Sequence, residues 1–191
     1  MDKLLGLVLC GGESRRMGSD KGLLLKDGIP WALHMGQKLS PWKIPVFYSI
    51  NKGQQAVYKT ILPSRHLVID TLDISGPLNG LLSLHQRLPK MDILLLACDM
   101  LDMDAPTIRQ LIDNYQQFPG YEFYAYREPT TELPLAQPFC CVYTAQGLSS
   151  FLRNLPAAND DSPGLQPLLR QGKTLWLSLI NPLAFRNYNY I

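Results

Sequence analysis

Short apolar runs at 4–9, 46–50, 67–69 and 93–98, separated by stretches whose apolar residues recur at helical spacing, constrain this chain more than any other feature. The first run is continuous and stops at Gly11-Gly12, a pattern suited to a strand buried on both faces. Pro30 opens a segment in which Trp31, Met35 and Leu39 repeat at helical spacing until Ser40-Pro41. Residues 54–62 read as a short helix, and residues 78–88 as a helix with a stripe of Leu81, Leu82, Leu84 and Leu88. Asp104-Ala105-Pro106 resembles a helix start, with Ile108, Leu111, Ile112 and Tyr115 on its buried face. Residues 121–126 and 138–143 read as later strands, and 144–155 and 164–170 as helices. Regular strand-helix alternation predicts an α/β fold: a three-layer α/β/α domain with a mostly parallel, Rossmann-like sheet and strand C-termini gathered at one edge, where ligands bind. With 191 residues, 46% of them apolar, and no repeat or linker, residues 1–191 read as a single domain.

Lys plus Arg number 18 against 16 Asp plus Glu, and a net charge of +2 provides no global field for a nucleic acid. No apolar run approaches the roughly 20 residues of a bilayer span, so no membrane association is expected. Cys10, Cys98, Cys140 and Cys141 lack metal-ligand spacing and read as buried free thiols in a reducing cytoplasm, the adjacent pair pointing to opposite faces of a strand. His34, His66 and His85 lie in unrelated segments and read as surface or capping residues. Trp31, Trp42 and Trp176 read as packing residues.

The densest chemical signal is Leu9-Cys10-Gly11-Gly12-Glu13-Ser14-Arg15-Arg16-Met17-Gly18-Ser19-Asp20-Lys21, directly after the first strand. Glycines let the backbone close around an anion with its N–H groups pointing inward, and Arg16 and Lys21 add positive charge beside that cradle. It is neither a Walker loop nor a G-x-G-x-x-G turn, and as a bare glycine-rich loop a strained turn would compete evenly; the charged residues at fixed offsets decide for phosphate. Asp99 follows the run at 93–98 and so falls at a strand C-terminus on the ligand edge, where one carboxylate beside phosphate oxygens suffices to hold Mg²⁺. Asp102 and Asp104 lie close enough in sequence to be mistaken for that ligand.

Residues 9–21 resemble the N-terminal signature of the molybdenum cofactor guanylyltransferases, the MobA-type nucleotidyltransferases: Leu-Ala-Gly-Gly, Arg-Met-Gly, Asp-Lys, with Cys10 in place of the usual Ala. The resemblance extends over most of the chain and implies a nucleotidyltransferase fold. It assigns Gly11, Gly12, Arg16 and Lys21 to the nucleotide triphosphate, and Leu9 and Cys10 to nucleotide binding. It also covers Asp70 and the turn Gly76-Pro77-Leu78-Asn79-Gly80, which in the family belong to the base pocket; a carboxylate can accept from both N1–H and the 2-amino group of guanine. A turn-capping role for Asp70 competes with that assignment. Ser49 and Asn51 stand where the family often shows Asn-x-Asn. Cys98-Asp99 matches the family's Cys-Asp, although Met100-Leu101-Asp102 replaces its proline-containing turn. Asn187 and Asn189 match an Asn-x-Asn element on the pterin side, after which Tyr190-Ile191 replaces the family's continuation. Weaker likenesses fall at Gln137-Pro138-Phe139 and Ser162-Pro163-Gly164.

The resemblance implies transfer of GMP from GTP to the phosphate of molybdopterin or Mo-molybdopterin with release of pyrophosphate, Mg²⁺ as cofactor, Lys21, Arg16 and Asp99 as catalytic residues, and a molybdoenzyme or cofactor-delivery protein as partner. Two alternatives stand beside it. One is a related nucleotidyltransferase using CTP or a sugar-phosphate acceptor. The other is a nucleotide-binding accessory protein without transfer activity, suggested by Ser49, the absent proline after Asp99 and the short C-terminus.

Overall fold

The computed structural model describes residues 3–11, 20–128, 136–154 and 164–188. In chain order the elements are β1 (Leu4–Leu9), the two-residue strands β2 (Leu25–Lys26) and β3 (Ile29–Pro30), α1 (Trp31–Gln37), β4 (Val46–Ile50), α2 (Gln55–Ile61), β5 (Leu67–Ile69), α3 (Pro77–Arg87) and β6 (Asp92–Ala97). They continue with α4 (Ala105–Gln117), β7 (Phe123–Arg127), β8 (Ala136–Tyr143), α5 (Ala145–Arg153), α6 (Leu165–Gln171) and β9 (Thr174–Ser178). Seven strands form one sheet in the order β5-β4-β1-β6-β8-β7-β9. β5, β4, β1 and β6 are mutually parallel, β8 runs against both β6 and β7, and β9 is parallel to β7.

Every residue of β1 and β6 is buried, as expected for central strands covered on both faces. Their side chains alternate between two cores. Leu4, Val8, Leu94 and Leu96 pack with Met35, Leu39, Tyr58, Ile108 and Leu111 on the face covered by α1, α2 and α4. Leu7, Leu9, Ile93 and Leu95 pack with Leu78, Leu81, Leu148 and Leu168 on the face covered by α3, α5 and α6. The adjacent cysteines divide in the same way, Cys140 to the first core and Cys141 to the second, and all four thiols are buried and unpaired.

Three details depart from the sequence reading. His85 is buried, not at the surface or a cap: α3 packs its imidazole toward α5, with Nε2 3.2 Å from Ser149 Oγ, and burial lowers its pKa. Strand β9 and the β2–β3 hairpin were not anticipated. In that hairpin Asp27 and Gly28 both take positive φ, 53° and 77°, the signature of a type I′ turn.

Chain order explains where a ligand would sit. From β1 the sheet grows outward through β4 to β5, then returns to β6 on the other side of β1. This reversal opens a crevice beyond the C-terminal ends of β1 and β6. Cys10-Gly11 and Cys98-Asp99 follow those two ends directly. No helix among the described residues is long and apolar enough to cross a membrane.

Candidate active site

Two strand ends converge on one ion pair. Lys21 Nζ lies 2.9 Å from Asp99 Oδ2, with both side chains largely buried at 19% and 15% exposure. Asp99 comes from the turn after β6, and Lys21 from the 3-10 helix Lys21–Leu23 that ends the loop after β1. The peptide carbonyl of Asp99 accepts from the Tyr188 N–H at 3.0 Å. Asp99 is thereby held on its side chain and on its backbone.

Lys21 owes its position to Asp20. Asp20 caps the 3-10 helix, Oδ1 accepting from the Gly22 amide at 3.0 Å and from the Tyr58 hydroxyl at 3.1 Å. Its other oxygen accepts from Gln54 Nε2 at 2.6 Å. Gly22 packs so closely on the buried Tyr58 that a Cβ there would collide with the phenol oxygen. Asp20, Gln54 and Tyr58 were not assigned site roles from the sequence.

On the other side of β1, Asp70 follows β5 and its Oδ1 accepts from Ser49 Oγ at 2.7 Å. A Cβ at position 11 would lie 2.9 Å from Asp70 Oδ2, so Gly11 permits the carboxylate to approach the end of β1. Burial raises the Asp70 pKa, partly offset by the Ser49 bond, which favours the ionised form. Ser49 is 1% exposed, and its hydroxyl therefore acts through Asp70. The loop from Asp70 to Gly76 is braced from α3: Asn79 Nδ2 donates to the carbonyls of Leu72 and Ile74, and its Oδ1 accepts from the Leu72 amide. Gly76 precedes α3 at φ 79°, ψ −166°, a conformation essentially confined to glycine.

Several expected contacts are already committed within the protein. The Cys10 and Gly11 amides both donate to the Ser49 carbonyl at 2.9 Å, so the Gly11 N–H closes the sheet and does not point freely into the cradle. Asn51 Oδ1 accepts from the Gln54 amide, and Gln54 Oε1 accepts from the Asn51 amide, a capping box that engages the Asn51 side chain. Gly12, Arg16 and Asn189 lie outside the described residues. Asn187 is brought to the same edge by its neighbours, since the Tyr188 hydroxyl donates to Asp102 Oδ2 at 2.8 Å and Trp31 meets the Tyr188 ring edge-on.

The other two acids of this region have separate tasks. Asp104 caps α4 through the Thr107 amide and accepts from Asn181 Nδ2. Burial would raise its pKa, but the Asn181 and Thr107 bonds outweigh burial and lower it. Asp102 receives the Tyr188 hydroxyl and lies 3.9 Å from Arg186. The Asp99 carboxylate is a hard-oxygen ligand of the kind a divalent cation takes beside phosphate oxygens and water, and its Oδ2 is engaged by Lys21. Among the described residues no group of three His, Cys, Asp or Glu side chains converges on a metal position.

Together the mostly parallel sheet, the glycine-containing loop after its first strand and the Lys–Asp pair at the switch point define an α/β nucleotidyltransferase fold. Residues 6–175 match the MobA-like NTP transferase domain, and the chain belongs to that family. It is 32% identical over 153 residues to a molybdenum cofactor guanylyltransferase of Pasteurella multocida, covering 76% of each chain. It is 29% identical over 150 residues to a molybdenum cofactor biosynthesis bifunctional protein of Synechocystis, covering 78% of this chain and 42% of that one. The match thus spans less than half of the Synechocystis relative. Among solved structures, molybdopterin-guanine dinucleotide biosynthesis protein A of Archaeoglobus fulgidus superposes with a TM-score of 0.64 at 16% identity, covering 91% of this chain and 82% of that one. Rv0371c of Mycobacterium tuberculosis, in its complex with manganese, also gives 0.64 at 16% identity, with 93% and 88% covered.

Proposed function

We propose that this protein transfers GMP from GTP to the terminal phosphate of molybdopterin or its molybdenum form, releasing pyrophosphate. The observation that carries this reading is the Lys21–Asp99 pair at the switch point, with Asp70 held beside Gly11 on the opposite flank of β1. A phosphate monoester is already an anionic nucleophile near neutral pH, so the site needs alignment and charge compensation more than a base. One acceptor phosphate oxygen bonds to the α-phosphorus of GTP as the bond from that phosphorus to the pyrophosphate oxygen breaks. Lys21 and Arg16 balance charge gathering on the departing pyrophosphate. Asp70 accepts from the guanine edge, oriented by Ser49. The segment bearing Asn187, with Asn189 beyond it, faces the acceptor.

Asp99 would hold the cation. A divalent metal such as Mg²⁺, if bound there, would offset the charge on the phosphate oxygens and make the α-phosphorus more electrophilic. The structural neighbour from M. tuberculosis was solved in complex with manganese, which supports a divalent ion as cofactor.

Calorimetric binding of GTP, ATP and CTP with Mg²⁺, repeated on Asp99→Ala, tests the reading. GTP is expected to bind selectively and to weaken at least tenfold without Asp99. Equal binding of the three nucleotides, or CTP preference, would replace it with another nucleotidyltransferase. Selective GTP binding without pyrophosphate release on adding molybdopterin would leave a nucleotide-binding accessory protein.

A further inference from the structure

Gln54 spends its whole side-chain amide on the base of the glycine-rich loop. Its Nε2 donates to the Cys10 carbonyl at 3.0 Å and to Asp20 Oδ2 at 2.6 Å, while Oε1 accepts from the Asn51 amide at 2.8 Å. Cys10 precedes the loop and Asp20 follows it, so one amide ties the loop's two ends together and fastens both to the strand end beside them. Tyr58, one turn further along the same helical segment, adds its hydroxyl to Asp20. Asp20 in turn caps the 3-10 helix from which Lys21 reaches Asp99.

We propose that Gln54 is a positioning residue of the transfer reaction, a staple that sets the loop's span and, through Asp20, the placement of Lys21 against Asp99. Only an amide satisfies all three partners. A carboxylate at this position would face the Asp20 carboxylate and the Cys10 carbonyl with no hydrogen to give, and an apolar side chain would leave Cys10 and Asp20 each short of a donor. The geometry also defines a compensating exchange. In Asp20→Asn, Oδ1 still accepts from Gly22 and Tyr58, while Nδ2 can donate to a glutamate introduced at 54. The catalytic part of this inference rests on the guanylyltransferase reading; the staple itself does not.

The test uses the full chain in two readouts. Amide hydrogen exchange at Gly22, whose N–H is held by Asp20, reports the staple without nucleotide, with the buried amides of Leu111 and Ile112 in α4 as an internal reference for global opening. Steady-state turnover of GTP with molybdopterin reports catalysis. Gln54→Met is expected to accelerate exchange at Gly22 at least tenfold with the α4 amides unchanged, and to lower kcat/KM at least tenfold. Gln54→Glu is expected to lose activity at neutral pH and regain part of it as the medium is acidified and the glutamate gains a proton. Gln54→Glu combined with Asp20→Asn is expected to exceed Gln54→Glu alone at neutral pH. Unchanged Gly22 exchange in Gln54→Met overturns the staple, and accelerated exchange with kcat/KM within twofold overturns its positioning role. Absence of any GTP turnover in the parent protein would defeat the guanylyltransferase reading and with it the catalytic role, leaving the exchange result to decide the staple alone.

Discussion

Ser49 Oγ donates to Asp70 Oδ1 across 2.7 Å, joining the ends of two neighbouring strands at the edge where the base is proposed to bind. Burial lifts the Asp70 pKa above its ordinary value, and this bond holds the rise in check. The folded protein therefore takes up this proton at a higher pH than the unfolded chain, and the stability it confers falls as pH climbs from the ordinary carboxylate range through the raised value. Ser49→Ala should widen that window upward and destabilise the protein by about 1.5–3 kcal/mol at neutral pH, with a smaller loss in acid. Urea denaturation at acid and neutral pH checks this. The same substitution should weaken GTP binding at neutral pH.

Lys21→Ala removes the cation facing Asp99. Because the pair retains some contact with solvent, the stability loss should be about 1–2 kcal/mol, between exposed and fully buried ion pairs. Turnover should fall by about 10²–10³-fold, the usual scale for deleting one stabiliser of transition-state charge. Parallel thermal unfolding and pyrophosphate-release assays separate the two effects, and unchanged turnover would remove Lys21 from the mechanism.

Gly22→Ala drives a methyl group into the Tyr58 hydroxyl, which is buried and bonded to Asp20. The expected cost is about 1–3 kcal/mol. Tyr58→Phe deletes the colliding atom, so the double variant should be less destabilised than the sum of the singles by more than about 0.5 kcal/mol. Strict additivity in a denaturation cycle would mean that the phenol ring simply moves aside.

His85 contributes a second pH dependence of opposite sign. Burial lowers its pKa, so the unfolded chain binds this proton first. The associated stability is complete above the ordinary histidine value near ~6.5 and is lost as pH falls below it. His85→Gln should flatten the stability profile on that acid side in denaturation curves recorded at successive pH values.

Much of the architecture was legible because it rests on local patterns. β1, β4 and β5 coincide with the apolar runs that signalled them, while β6 starts one residue early, at Asp92, which pairs with Leu4 and is satisfied by the Tyr115 hydroxyl and the Ala145 amide. Polarity hid that residue, whose partners lie on α4 and α5. β9 was hidden because only Leu177 of its five residues is fully buried, and the hairpin because its strands are two residues long despite the Asp27-Gly28 signal. At the candidate site, Asp99 and Lys21 follow from strand-end logic and loop composition. Gln54 and Tyr58 do not, since their bonds to Asp20 span 34 and 38 residues and carry no local period.

The bond from the Tyr188 amide to the Asp99 carbonyl also orders events in time. During synthesis the N-terminal part of a chain is available to fold first. The strands that set Lys21 against Asp99 thus leave the ribosome well before Tyr188, and the final clasp on the Asp99 backbone closes only when the last described residues arrive. The contact that fixes the Asp99 backbone is therefore supplied by the last described stretch of the chain to be synthesised.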